Sequence, residues 1–219
     1  MVVSFIADNF FEKLNIDKLH YIEIVDRLEN NSSGRSIKDK IILPRKYGLE
    51  GIRNFADVSM EREKNIKLKM LIGTIYHELW HVSTWDKYKT MYEYVLNKKV
   101  PDIYTAYGYM YWIEYIAHTE TIFMEAPELM REFCNKFVEK SWHKMEDKYS
   151  YFIKALPYYL IRSQYLNVFD EFTKNIIPNE LRQAVYDFDR RSKELLHNRF
   201  MDDIEKADKI KSMIEQLFA

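Results

Sequence analysis

An α+β fold, mostly helical, is what this sequence predicts: a small core with a short β-sheet or hairpin, then a helical C-terminal extension. Three observations lead there. The 219 residues include only 5 Gly and 5 Pro, too few punctuating residues for many tight turns, so long helices are expected. Beyond Glu128, apolar residues recur at helical spacing through Phe133, Phe137, Phe152, Leu160, Val185, Leu195 and Ile214. Near the N-terminus, short apolar runs are bounded by turn residues instead, as strands are.

Taken in order, residues 8–14 read as a short helix. Residues 20–28 fit either a strand, through the alternation of Ile22 and Ile24 with Glu23, or a helical stripe through Leu19, Ile22, Val25 and Leu28. Asn30, Asn31, Ser32, Ser33 and Gly34 form a polar turn. Residues 40–43, stopped by Pro44, predict a short strand. Ser59 can cap a helix whose first turn holds Glu61 and Glu63, the charges that end favours. That helix should run to about Trp85. A second is expected over 88–97, ended before Pro101, and a third over 102–124 with Pro127 as its stop. The remaining residues read as a helical bundle with breaks near Pro157 and Pro178.

Composition narrows the function. Basic and acidic side chains number 33 and 34, for a net charge of −1, which gives no electrostatic basis for binding nucleic acid or an anionic membrane. Cys134 is the sole cysteine, so no internal disulfide and no oxidising compartment are implied. The first eleven residues lack the basic start and apolar core of a signal peptide. A cytoplasmic protein with no membrane association is the expectation.

The chemistry is concentrated in His77-Glu78-Leu79-Trp80-His81, a His-Glu-x-x-His pattern. Residues four apart on a helix project from one face, so both imidazoles can reach one ion. Neutral imidazole suits zinc. Glu78, rotated about 100° around the helix axis, can miss the metal and reach a water bound there, taking its proton and passing it to the leaving amine. A chance match in a chain of this composition is on the order of one in a hundred. The flanking Thr74, Ile75, Tyr76 and Val82 are uncharged, as a metal helix in a protein interior requires.

A catalytic zinc needs a third protein ligand and an open position. Residues 102–124 offer one helix face made of Tyr107, Tyr111, Glu114, His118 and Thr121. Glu114 is the expected third ligand, with His118 supporting it or donating to the transition state. The reverse choice, His118 as ligand, stays open. Tyr111 or Tyr107 can hydrogen-bond the developing oxyanion.

His77-Glu-Leu-Trp-His81, followed by Glu114-Tyr-Ile-Ala-His-Thr-Glu-Thr-Ile-Phe-Met124, resembles the ImmA/IrrE group of bacterial and phage metallopeptidases. In that group a Glu on a later helix completes the metal site, and Glu114 falls on that position. Residues 39–44 resemble the strand preceding the group's active-site helix. Glu125 stands where the group has Pro, and Trp80 replaces a small residue. The resemblance covers 1–130 and implies a zincin-like metallopeptidase domain there, while 131–219, read from its apolar spacing, is expected as a helical subdomain packed on it. It also implies a zinc metalloendopeptidase acting on a specific intracellular protein or peptide substrate, often a repressor-type regulator. A different class of reading keeps the fold without the cutting: a catalytically silent protein that serves as a regulatory or protein-interaction module. The presence of Glu78 argues for the enzyme, because a purely structural zinc needs no base.

Overall fold

A computed structural model describes residues 16–28, 33–45, 66–97, 102–142 and 148–219. The expected helix at 8–14 and the Ser59 cap lie outside these residues. The described residues are mostly helical, with a small three-stranded sheet. They fall into two compact units. One takes in the described residues up to Lys87 together with Thr121–Leu129; the other takes in Tyr88–Glu120 and Met130–Ala219.

In the first unit, strands β1 (Tyr21–Val25), β2 (Arg35–Ile37) and β3 (Lys40–Pro44) form a sheet of order β1-β3-β2. The strand reading of residues 20–28 is thus the one adopted. β3 runs parallel to β1, pairing Tyr21 with Lys40 and Val25 with Pro44. It runs antiparallel to β2, pairing Arg35 with Ile42. A two-residue hairpin turn, with Lys38 at φ 54°, joins β2 to β3. The central strand buries Ile41, Ile42, Leu43 and Pro44 in succession, the continuous apolar run of a strand covered on both faces.

Helix α1 (Ile66–Thr84) packs against β2 and β3. Every residue over 75–82 is buried, so α1 is a core helix and not a surface one with a single apolar stripe. Gly73 accounts for one close approach: a Cβ there would lie 3.2 Å from the carbonyl oxygen of Met124. Tyr76 meets the ring of Phe123 edge-on at 5.4 Å. The short 3-10 turn Ile122–Met124 is thereby seated on α1.

The second unit contains α2 (Lys89–Leu96), most of α3 (Ile103–Thr121), most of α4 (Pro127–Trp142), α5 (Lys148–Tyr165), α6 (Phe169–Asn175), α7 (Asn179–His197) and α8 (Asp203–Phe218). Asp102 caps α3, accepting from the Tyr104 N–H at 3.0 Å and the Thr105 hydroxyl at 2.7 Å. Three contacts then fix α3 in place. Lys211 Nζ donates to Asp102 at 2.6 Å, Trp112 Nε1 donates to Asp203 at 3.0 Å, and the Tyr111 and Ser192 hydroxyls share a hydrogen bond of 2.8 Å. Gly108 permits the closeness of α3 and α8, since a Cβ on it would stand 2.8 Å from the Ala207 carbonyl oxygen. α8 opens with a capping box between Asp202 and Glu205.

The helix expected over 102–124 ends before Pro127, as the sequence suggests, whereas Pro157 departs from the expectation. Pro127 opens α4 at the first helical position, where its missing N–H costs nothing. Pro157 does not break the chain; it lies inside α5. An internal proline costs a helix about 3 kcal/mol. Phe152, Ile153, Leu156 and Leu160 on the same helix are fully buried or nearly so, each burial contributing about 1.5–3 kcal/mol, so packing outweighs the lost hydrogen bond. The break expected at Pro178 is present, as the residue preceding α7. Among the described residues no helix is long and apolar enough to cross a membrane.

Candidate metal centre

The first unit supplies the motif residues. His77 and His81 lie one turn apart on α1, 8% and 5% exposed. Their Nε2 atoms are 3.0 Å apart with ring planes crossing at 82°. Two nitrogen ligands on one tetrahedral zinc, each at about 2.0–2.1 Å, stand about 3.3 Å apart. The pair therefore fits an ion shared between the two Nε2 atoms. The other nitrogen of His77, Nδ1, is 3.4 Å from the Thr121 hydroxyl oxygen. An Nδ1–H donated to that oxygen leaves Nε2 with its lone pair for a ligand role. The ring of Trp80 meets His81 edge-on at 5.3 Å, and Trp80 is itself buried.

Glu78 is also buried, at 8% exposure. The segment leading into β2 presses on it through Gly34. A Cβ on Gly34 would lie 3.1 Å from Glu78 Oε1 and Cγ, and 2.6 Å from Thr74 Cγ2. Bare backbone is what allows the sheet edge to come this close to the carboxylate.

The second unit carries the other candidates on α3. Thr121 closes that helix, and His118 and Glu114 stand one and two turns before it. His118 is 2% exposed, and its Nε2 is 3.9 Å from Glu114 Oε2. Tyr158 of α5 donates its hydroxyl to the same Oε2 at 3.1 Å. Its ring lies against the His118 imidazole, centroids 4.0 Å apart. Phe133 and the Arg162 guanidinium flank Tyr158 in turn, at 6.0 Å and 5.2 Å.

The tyrosines divide otherwise than the helix face predicts. Tyr111 is fully enclosed, its hydroxyl bonded to Ser192 and its ring packed on Tyr115 and Phe188. Burial pushes its phenol far above the usual range. Tyr107 stacks on Phe218. Tyr158 has its hydroxyl on Glu114 instead, and nothing in its spacing set it apart among 17 tyrosines. No family model, curated protein or solved structure matches the chain.

Proposed function

We propose that the chain is a zinc-dependent endopeptidase of the ImmA/IrrE type, cleaving a specific protein in the cytoplasm. In this reading His77, His81 and Glu114 hold the metal and Glu78 is the general base. The observation that carries it is the His77–His81 pair, whose Nε2 atoms face each other at 3.0 Å on a buried helix, with a buried carboxylate between them in sequence. Burying polar and charged groups is costly unless they are hydrogen-bonded, paired or bound to a metal, and this set has the donor chemistry of a catalytic zinc site.

A bound zinc lowers the pKa of a water in its open position and polarises the scissile carbonyl. Glu78 takes the proton from the attacking water and delivers it to the leaving nitrogen. Thr121 holds the His77 ring in the tautomer that offers Nε2. Among the described residues β2 is an edge strand of the sheet, beside Glu78, and in this reading an extended peptide substrate adds to it as a further strand. In this reading His118, buried next to Glu114, donates a hydrogen bond to the oxyanion.

One observation favours the second reading. On α3, His118 Nε2 lies 3.9 Å from Glu114 Oε2, so both side chains can serve as ligands from that helix. Were both to coordinate together with His77 and His81, four protein donors would fill a tetrahedral zinc and leave no position for water. The protein would then be a silent, metal-stabilised regulatory module.

Elemental analysis of untagged protein, zinc-loaded and desalted, should give about one zinc per chain. Glu78→Gln should retain the metal and cut peptide-library hydrolysis about 100-fold or more. A wild-type protein that stays metal-free ends both readings. A metal-bound wild type without hydrolytic activity selects the second.

A further inference from the structure

The contacts of Tyr158 go beyond those of a packing residue. Its hydroxyl reaches the Glu114 carboxylate at 3.1 Å, and its ring covers the His118 imidazole at 4.0 Å. One side chain thus touches both α3 residues that compete for the third ligand position. Tyr158 is itself held on the other side. Phe133 lies 6.0 Å from its ring, and the Arg162 guanidinium is stacked on both, 4.5 Å from Phe133 and 5.2 Å from Tyr158. The neighbouring Pro157, Leu156 and Tyr159 are buried, so the backbone that presents Tyr158 is fixed.

We propose that Tyr158 is a positioning residue for the metal ligand Glu114 and its neighbour His118: its hydroxyl orients the Glu114 carboxylate for the ion while its ring holds the His118 imidazole in one plane. The inference rests on the reading of Glu114 as a ligand. A glutamate has three rotatable side-chain torsions, and a free carboxylate samples many orientations. A phenol O–H donated to one oxygen removes most of that freedom before the ion arrives. The same oxygen keeps a second lone pair, so accepting from Tyr158 does not prevent coordination. Ligand carboxylates held in this way by an outer hydrogen bond typically owe to it 10–100-fold in metal affinity. The ring contact acts separately. It keeps His118 from swinging toward or away from Glu114, from which its Nε2 now stands 3.9 Å.

Tyr158→Phe removes the hydroxyl and keeps the ring. Tyr159→Phe is the matched control: it lies on the same helix, and its hydroxyl shares a buried hydrogen bond of 3.0 Å with Thr173, away from both ligands. Zinc affinity of the full-length proteins is measured by competition with a chromogenic chelator, and the ligand field by the visible spectrum of the cobalt-loaded forms. Tyr158→Phe should weaken zinc binding by about 10-fold or more and change the cobalt spectrum. Tyr159→Phe should do neither. The proposal is overturned if Tyr158→Phe binds zinc within about twofold of wild type with an unchanged spectrum, or if the two variants weaken binding equally. A wild type that binds no zinc overturns the metal reading itself. A wild type that binds zinc while Tyr158→Phe is silent leaves the metal reading standing and removes only this role.

Discussion

Gly34→Ala tests whether the edge of the sheet controls Glu78, the proposed general base. The added Cβ would stand 2.6 Å from Thr74 Cγ2 and 3.1 Å from both Cγ and Oε1 of Glu78. Ordinary carbon contacts lie near 3.5–4.0 Å, so Thr74 or the strand must move by about 1 Å. Overpacking of this kind costs about 1–3 kcal/mol. The loss of glycine's freedom in the unfolded chain offsets about 0.4–1 kcal/mol. The net expectation is a destabilisation of about 1–2 kcal/mol, read by urea denaturation. Glu78, the other neighbour at 3.1 Å, must give by a few tenths of an ångström, so on the proposed function peptidase activity should also fall, by less than the ~100-fold that a ~1 Å misplacement costs. Zinc affinity should change little, since the atoms nearest the added Cβ belong to Thr74 and Glu78 and not to His77 or His81. Thr74→Ser removes the clashing methyl and should restore most of the stability in the double variant, giving a coupling energy of about 1 kcal/mol or more. A Gly34→Ala protein with wild-type stability, or effects of the two substitutions that simply add, would refute this account.

Three further outcomes follow from the geometry. Glu114→Ala should weaken zinc binding as severely as loss of either motif histidine, whereas His118→Ala should keep zinc and lose about 10–100-fold in turnover; the opposite pattern in zinc titrations would make the site a three-histidine one. Tyr111→Phe should cost about 1–2 kcal/mol in urea unfolding, because it leaves the buried Ser192 hydroxyl without that partner, with no change in zinc affinity; a loss of metal would return Tyr111 to the site. Hydrogen bonds from Lys211, first, and from Thr105 hold the Asp102 carboxyl at about 2, below its ordinary 3.8. A carboxylate with a lowered folded pKa stabilises fully above its ordinary value and loses that contribution as pH falls through the lowered one. The stability gap between wild type and Asp102→Asn should therefore be constant above about pH 4–5 and shrink toward pH 2; a gap independent of pH would refute the assignment.

The parts of the fold that were readable in the sequence are those governed by local chemistry. Alternation in residues 21–25 and the run ended by Pro44 became β1 and β3, because a half-buried and a fully buried strand leave different apolar patterns. Asp102 announced α3 as a capping residue does. The His77–His81 pair was legible because helix periodicity alone puts residues four apart on one face. Pro157 was misread, since local propensity favours a break and only the burial around it outweighs that. Tyr158 was invisible for a related reason. It reaches Glu114 across 44 positions of chain, and no local pattern encodes such a meeting. Tyr111 shares the helix stripe of Glu114, yet its hydroxyl finds Ser192 at 81 positions' separation. Periodicity tells which residues share a stripe; it does not tell which neighbouring helix each meets.

The Gly108–Ala207 crossing makes α3 a lever with a nearby fulcrum. Glu114 lies six residues beyond Gly108, about 9 Å along the axis at 1.5 Å per residue. Each degree of tilt about that crossing carries the Glu114 backbone sideways by about 0.16 Å on this rise. A tilt of six degrees, small for a helix, moves it by about 1 Å, a misplacement that would cost a ligand in the proposed role about 100-fold in catalysis. The angular tolerance of the site is thus set by two small residues and by the Lys211–Asp102 bond at the other end of the rod. Substitutions on α8 that touch no candidate ligand become, by this leverage, a fine adjustment of where Glu114 stands.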